Sequence, residues 1–152
     1  MTTANPRRLA DALRAGARGI HPLEAGTGLL TDCGSWLHRD DFTSRFITTD
    51  TSISDGVTLL AATDWEAAVA ALHAGELPAS GGERRILLLA ASIAGGIPVN
   101  LDDILPGIDR RNAGLVVRAI AHAAGQASHV ITEPGGSQPG NQCRTHRIRL
   151  LP

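Results

Sequence analysis

The stretch Ile86–Ala94 is apolar at nearly every position and is bracketed by a helix start and a helix stop. Ser80-Gly81-Gly82-Glu83 has the form of a capping box, in which the serine hydroxyl and the glutamate carboxylate satisfy each other's exposed backbone amides. Gly95-Gly96 supplies the left-handed stop. A helix that is apolar all round must be covered on most of its sides. The chain is therefore expected to organise its core around residues 83–94, with other helices packed against them. Aromatic residues make up only 3% of the 152 residues and tyrosine is missing. Ala, Leu, Ile and Val must fill that core, and small side chains let helices approach closely.

The flanking segments read in the same way. Asn5-Pro6 is a helix start, with Asn as N-cap and Pro at the first helical position. This helix should run to about Arg18 and stop at Gly19. Leu9, Leu13 and Ala17 form its apolar side; Arg7, Asp11, Arg14 and Arg18 form the opposite side, read as solvated surface. A second helical stretch is expected over Leu23–Leu37, weakened by Gly26, Gly28 and Gly34. Asp40 or Asp41 is expected to cap a short helix carrying Phe42 and Phe46. Phe46–Thr49 and Val57–Ala62 are β-prone and flank a turn with Asp55-Gly56, the pattern of a hairpin. Thr63-Asp64-Trp65-Glu66 reads as a second capping box, opening a helix through His73 that closes at Gly75. After an extended Ile97-Pro98-Val99, Asn100 caps a short helix through Leu105. Asp109 caps a last helix to about Ala124. The expected class is mainly α (α+β): one helical domain over residues 1–152 with small β-hairpins.

From residue 83 onward the order is helix, short strand, short helix, turn, longer helix, strand, glycine-rich loop, strand. This is the order of a winged helix-turn-helix. Leu101–Leu105 would be the supporting helix, Arg110–Ala124 the recognition helix, and residues 129–150 the wing. Arg110, Arg111 and Asn112 would then face base edges, with Arg118 further along the same helix. Arg144, Arg147 and Arg149 would hold phosphates. All 14 basic residues are arginine, and arginine forks bind phosphate and carboxylate bidentately. The chain's net charge of −1 gives no global pull toward nucleic acid. Its distribution is uneven, however: residues from Pro106 onward carry +4 and the rest −5. Double-stranded DNA is thus the first expected partner. A protein-interaction or structural module, with the apolar helices pairing two copies as a homodimer, is the alternative.

Other chemistries find less in the sequence. Cys33-x4-His38 and Cys143-x-x-His146 have short spacings that zinc uses. His38 with Asp40 and Asp41 could form an oxygen-rich set. Both have plainer readings, and no metal or cofactor is expected. Cys33-Gly34-Ser35-Trp36 faintly resembles the surroundings of a papain-type nucleophile, without that motif's second cysteine and in a chain too short for that fold. There is no Gly-x-Ser-x-Gly elbow and no phosphate-binding glycine fingerprint. His122 reads as an edge-of-core residue. Ser80-Gly81-Gly82 with Arg84 and Arg85 could hold an anion, but capping explains it more simply. No acid, base or nucleophile set converges, so an enzyme is the least favoured class. There is no charged, apolar leader pattern and no run long enough to span a bilayer, so the expected location is cytoplasmic.

The positions Asp40-Asp41-Phe42, Asp64-Trp65, Ala71-Leu72, Gly75-Glu76-Leu77, Ser80-Gly81-Gly82-Glu83, Ala90-Ala91-Ser92-Ile93-Ala94, Pro98-Val99, Asp109, Asn112 and His122-Ala123-Ala124-Gly125 resemble a group of small uncharacterised actinobacterial proteins. The resemblance spans roughly residues 29–125 and stops before the basic tail. No activity is known for that group, so the resemblance implies no site.

Overall fold

A computed structural model of the chain describes residues 5–126. Helices α1 (Pro6–Ala17) and α2 (His21–Cys33) lead into a 3-10 turn (Trp36–His38) and α3 (Asp40–Phe46). Strands β1 (Ile47–Thr51) and β2 (Leu59–Thr63) pair antiparallel, with Ile47 opposite Thr63 and Thr51 opposite Leu59. Then follow α4 (Trp65–His73), α5 (Gly81–Gly95), the single turn α6 (Leu101–Ile104) with a 3-10 turn (Leu105–Gly107), and α7 (Arg110–Ala123). The described chain is mainly helical with one small two-stranded sheet, the α+β class expected from sequence.

The core forms around α5, as its apolarity requires. Ile86, Leu87, Leu89, Ala90 and Ala91 are buried, and Leu88, Ile93 and Ala94 pack against the same cluster. Helices α2, α4 and α7 supply the covering side chains. The expected close approach occurs between α2 and α5. A Cβ on Gly26 would lie 2.5 Å from the Ala90 carbonyl oxygen and 2.6 Å from the Ala94 methyl. A second close approach seats α1 on the sheet, where a Cβ on Gly16 would lie 2.2 Å from the Ala61 carbonyl oxygen. Trp36 is fully buried, and its Nε1 donates to the Glu83 carbonyl at 3.1 Å, fixing the 3-10 turn to the start of α5. The Arg39 guanidinium lies over the Trp36 ring, grips Asp41 with two nitrogens and donates to the Pro78 carbonyl.

Most caps are where the sequence places them. Asn5 accepts from Arg7 N, Asn100 from Asp102 N and Asp109 from Asn112 N, while Ser80 and Glu83 form the full reciprocal box. Four expectations are corrected. Helix α2 ends at Cys33 and not at Leu37, because Gly34 adopts φ +79° as its left-handed cap. Thr63 does not cap α4. It is still paired with Ile47 at the end of β2, so Asp64 takes the cap and accepts from Ala67 N at 3.0 Å. The Thr63 hydroxyl is left buried, with no hydrogen-bond partner among the described residues. Neither Asp40 nor Asp41 caps α3; Arg39 occupies that position without a side-chain bond, and Asp41 turns back to Arg39. Residues 97–99 form no strand.

The two mid-helix glycines of α2 behave oppositely, which gives a direct test. Gly26→Ala should lower stability by roughly 1–3 kcal/mol, since the facing carbonyl belongs to a rigid helix and cannot give way. A Cβ at Gly28 meets nothing within 4 Å, so Gly28→Ala should raise stability by about 0.5–1 kcal/mol through helix propensity alone. Urea unfolding midpoints of the two variants, compared with wild type, should move in opposite directions.

Candidate functional site

Helix α2 lies between α1 on one side and α7 on the other. Helix α7 runs antiparallel to it. Gly19, just past α1, donates its N–H to Glu24 near the start of α2, while Arg14, within α1, reaches Asp32 near its end. His122 near the end of α7 meets Glu24, and Leu115 and Arg118 line the wall beside Asp32. The three helices leave an open groove of about 500 Å³, a size usual for small-molecule sites. Ala25, Gly28 and Leu29 of α2, with Leu115 and Ala119 of α7, give it an apolar lining. A shallower continuation runs toward Arg111 and Gly114.

The polar groups gather at the two ends. At one end the Asp32 carboxylate takes an Arg14 nitrogen at 2.8 Å and lies 3.8 Å from Arg118. The second distance is an ion pair without a hydrogen bond, so the Arg118 fork makes no hydrogen bond among the described residues. Arg14 also lies 3.7 Å from Asp11. These pairs are solvent-exposed and add little to stability. At the other end Glu24 accepts from Gly19 N at 2.8 Å through one oxygen and meets His122 Nε2 at 2.7 Å through the other. The Gly19 amide, and after it the His122 bond, hold the Glu24 carboxyl below its ordinary value of 4.5. The His21 ring stands edge-on to His122 at 5.6 Å. Arg18 and Gln126 complete this end. Among the described residues, no carboxylate forms an ion pair with Arg18.

The structure divides the residues that sequence assigned to base and phosphate contact. Arg110 and Arg111 are exposed at the start of α7. Arg111 and Arg118, seven residues apart, share one face and line the groove system, while Arg110 lies off that face. The Asn112 side chain is committed: its Nδ2 donates to Asp109 Oδ2 at 2.6 Å, and its backbone amide to Oδ1 at 2.9 Å. A capping carboxylate thus holds the amide that would have read adenine. Arg144, Arg147 and Arg149, the wing at 129–150, and Cys143 and His146 lie outside the described residues. The helical part of the helix-turn-helix order is present, but α6 is one turn long and α7 rests chiefly on α2.

Arg7, Arg14 and Arg18 are exposed, as read from the sequence, and Arg14 and Arg18 also line the groove. One sequence reading changes. His122 is exposed and paired across helices, not set at the edge of the core. Arg84 donates to the Leu72 carbonyl at 3.2 Å and so serves structure. The groove itself had one visible signal, the glycine at 28 in mid-helix, though only the tertiary fold separates it from Gly26. Cys33 is a free thiol 3.2 Å from the Ser35 hydroxyl. Among the described residues no group of three or more His, Cys, Asp or Glu side chains is placed to hold a metal. Comparison with protein-family models, curated proteins and solved structures returns no match to this chain.

The Glu24 contact predicts a pH signature. Its folded-state pKa lies below its unfolded value, so its contribution to stability is present above about pH 4.5 and is lost as pH falls through the lowered value. Glu24→Gln should therefore unfold at lower urea than wild type near about pH 6, and the gap should be smaller at about pH 3. An equal gap at both pH values would show that the carboxylate's charge is not involved.

Proposed function

We propose that this chain is a non-enzymatic binding module whose α1–α2–α7 groove takes a small organic anion. The observation that carries the reading is the pairing of an apolar floor with three rim guanidinium groups, Arg14, Arg18 and Arg118. Such a surface suits a ligand with an apolar body and an anionic head, because the fork of arginine matches carboxylate and phosphate geometry. The one acid–base pair in the groove supports binding over catalysis: Glu24 has both oxygens engaged, by Gly19 and by His122.

Octanoate is a suitable probe, with 1-octanol as its neutral counterpart. Titrated into nitrogen-15-labelled protein, octanoate should shift the amide signals of Ala25, Gly28, Leu29, Leu115 and Ala119 saturably. Octanol should bind more weakly by about 10-fold, the worth of one charge-assisted contact. The double variant Arg18→Gln, Arg118→Gln should erase the difference between the two probes. Equal binding of octanol and octanoate by wild type, or shifts confined to other parts of the molecule, would overturn the reading.

A second reading, binding of double-stranded DNA through α7, is favoured by the exposure of Arg110 and Arg111 at the helix start. It predicts duplex binding that weakens steeply between low and moderate salt and falls in an Arg110→Ala, Arg111→Ala variant. No binding at low salt by fluorescence anisotropy, or no change in the variant, would sink it.

A further inference from the structure

Position 28 is the clue to what the groove holds. Glycine in mid-helix costs about 1 kcal/mol relative to alanine, and helices normally carry one where a neighbour comes too close for a side chain. Gly26 has that reason, in Ala90 and Ala94, but among the described residues Gly28 has none: a Cβ there would meet nothing within 4 Å, and Gly28 lines the groove. The space it leaves is in the apolar middle. Glu24 and Asp32 mark the two ends and stand eight residues apart on α2, about 12 Å along the helix axis.

Each end gathers cationic side chains. Toward Asp32 stand Arg14 and Arg118, with Arg111 on the adjoining surface, so three guanidinium groups face two carboxylates, Asp32 and Asp11. Toward Glu24 stand Arg18, His122 and the Gln126 side chain. Glu24 is itself occupied by the Gly19 amide and His122, which leaves the Arg18 fork without a carboxylate among the described residues. Arg118 sits 3.8 Å from Asp32, and a ligand carboxylate could take it at closer range.

We infer that the groove binds a linear organic dianion, an apolar chain with a carboxylate at each end, one held by Arg18 and the other by Arg118. This rests on the groove being an anion site, and it adds the ligand's length and its second charge. At roughly 1.2 Å per bond of an extended chain, a ligand that spans the distance of about 12 Å between the Glu24 and Asp32 ends of the groove has about ten bonds. Sebacate has nearly that length, suberate and adipate are shorter, and dodecanedioate is longer. A shorter ligand leaves one arginine unfilled, and a longer one must buckle over the apolar floor.

The test is calorimetric titration of the full chain with these four dicarboxylates and with decanoate, the single-headed counterpart of sebacate. Affinity should peak at sebacate or suberate and exceed that of decanoate by about 10-fold or more, the second charged contact supplying the difference. Arg18→Gln should lower the affinity for sebacate by about 10-fold or more, to the level of decanoate measured on the same variant. Gly28→Leu should abolish binding of all five probes without lowering the thermal midpoint, separating a filled groove from a damaged fold. Decanoate binding as tightly as sebacate, or affinity rising steadily with length, overturns the dianion and leaves a simpler anion groove standing. Absence of binding by every probe overturns both readings together.

Discussion

Where α2 crosses α5, the backbone of one helix rests on the backbone of the other. Gly26 has no side chain, and the space a Cβ would occupy is already filled by the Ala90 carbonyl and the Ala94 methyl. This approach buries Ala25, Leu29 and Leu30 of α2 against Ile86, Leu87 and Ala90 of α5. With so few aromatic side chains to fill volume, cohesion depends on short interhelical distance, because dispersion attraction falls off steeply with separation. Small residues at the crossing are thus the means by which an aliphatic, aromatic-poor sequence reaches interior packing density.

Once α2 is seated on α5, its remaining sides become the floor on which other elements are placed. Helix α7 leans on it from one side and α1 from the other, and α1 also carries the sheet through the contact of Gly16 with Ala61. Three helices arranged with the middle one set back leave a trough between the outer two. The trough is apolar along its middle because Gly28 carries no side chain and the core residues Ala25 and Leu29 show beside it. It is polar at its ends because Glu24 and Asp32 lie two turns apart on α2.

The arginines divide between two kinds of work. Arg39 is locked by Asp41, the Pro78 carbonyl and the Trp36 ring, and Arg84 by the Leu72 carbonyl, so both hold the fold together. Arg14, Arg18, Arg111 and Arg118 stand around the groove system, where the carboxylates among the described residues are Asp32, Asp11 and Glu24. A guanidinium cannot be neutralised at physiological pH, so an excess of them on a concave surface is a standing positive potential, strengthened where walls exclude water.

Much of the fold is legible in the sequence because its signals are local. The Ser80–Glu83 box, the Asn5, Asn100 and Asp109 caps and the apolarity of 86–94 each act within a turn or two, and each appears in the structure as read. Local reading fails where two elements compete for one residue. Thr63 is drawn into β2 by Ile47 and so cannot cap α4, and Asp41 turns back to the Arg39 guanidinium and so does not cap α3. The candidate site was mostly illegible, since its residues come from positions 14, 18, 24, 32, 118 and 122 on three helices with no shared spacing. The sequence by itself determined that this chain would be helical around an aliphatic centre, because periodicity and capping are properties of neighbouring residues. Only the tertiary structure decided that the 83–94 helix needs α2 laid against its backbone, and that one glycine of α2 makes this contact while the other opens a groove. Both are the same residue type in the same helix, and what distinguishes them is which neighbour each one faces.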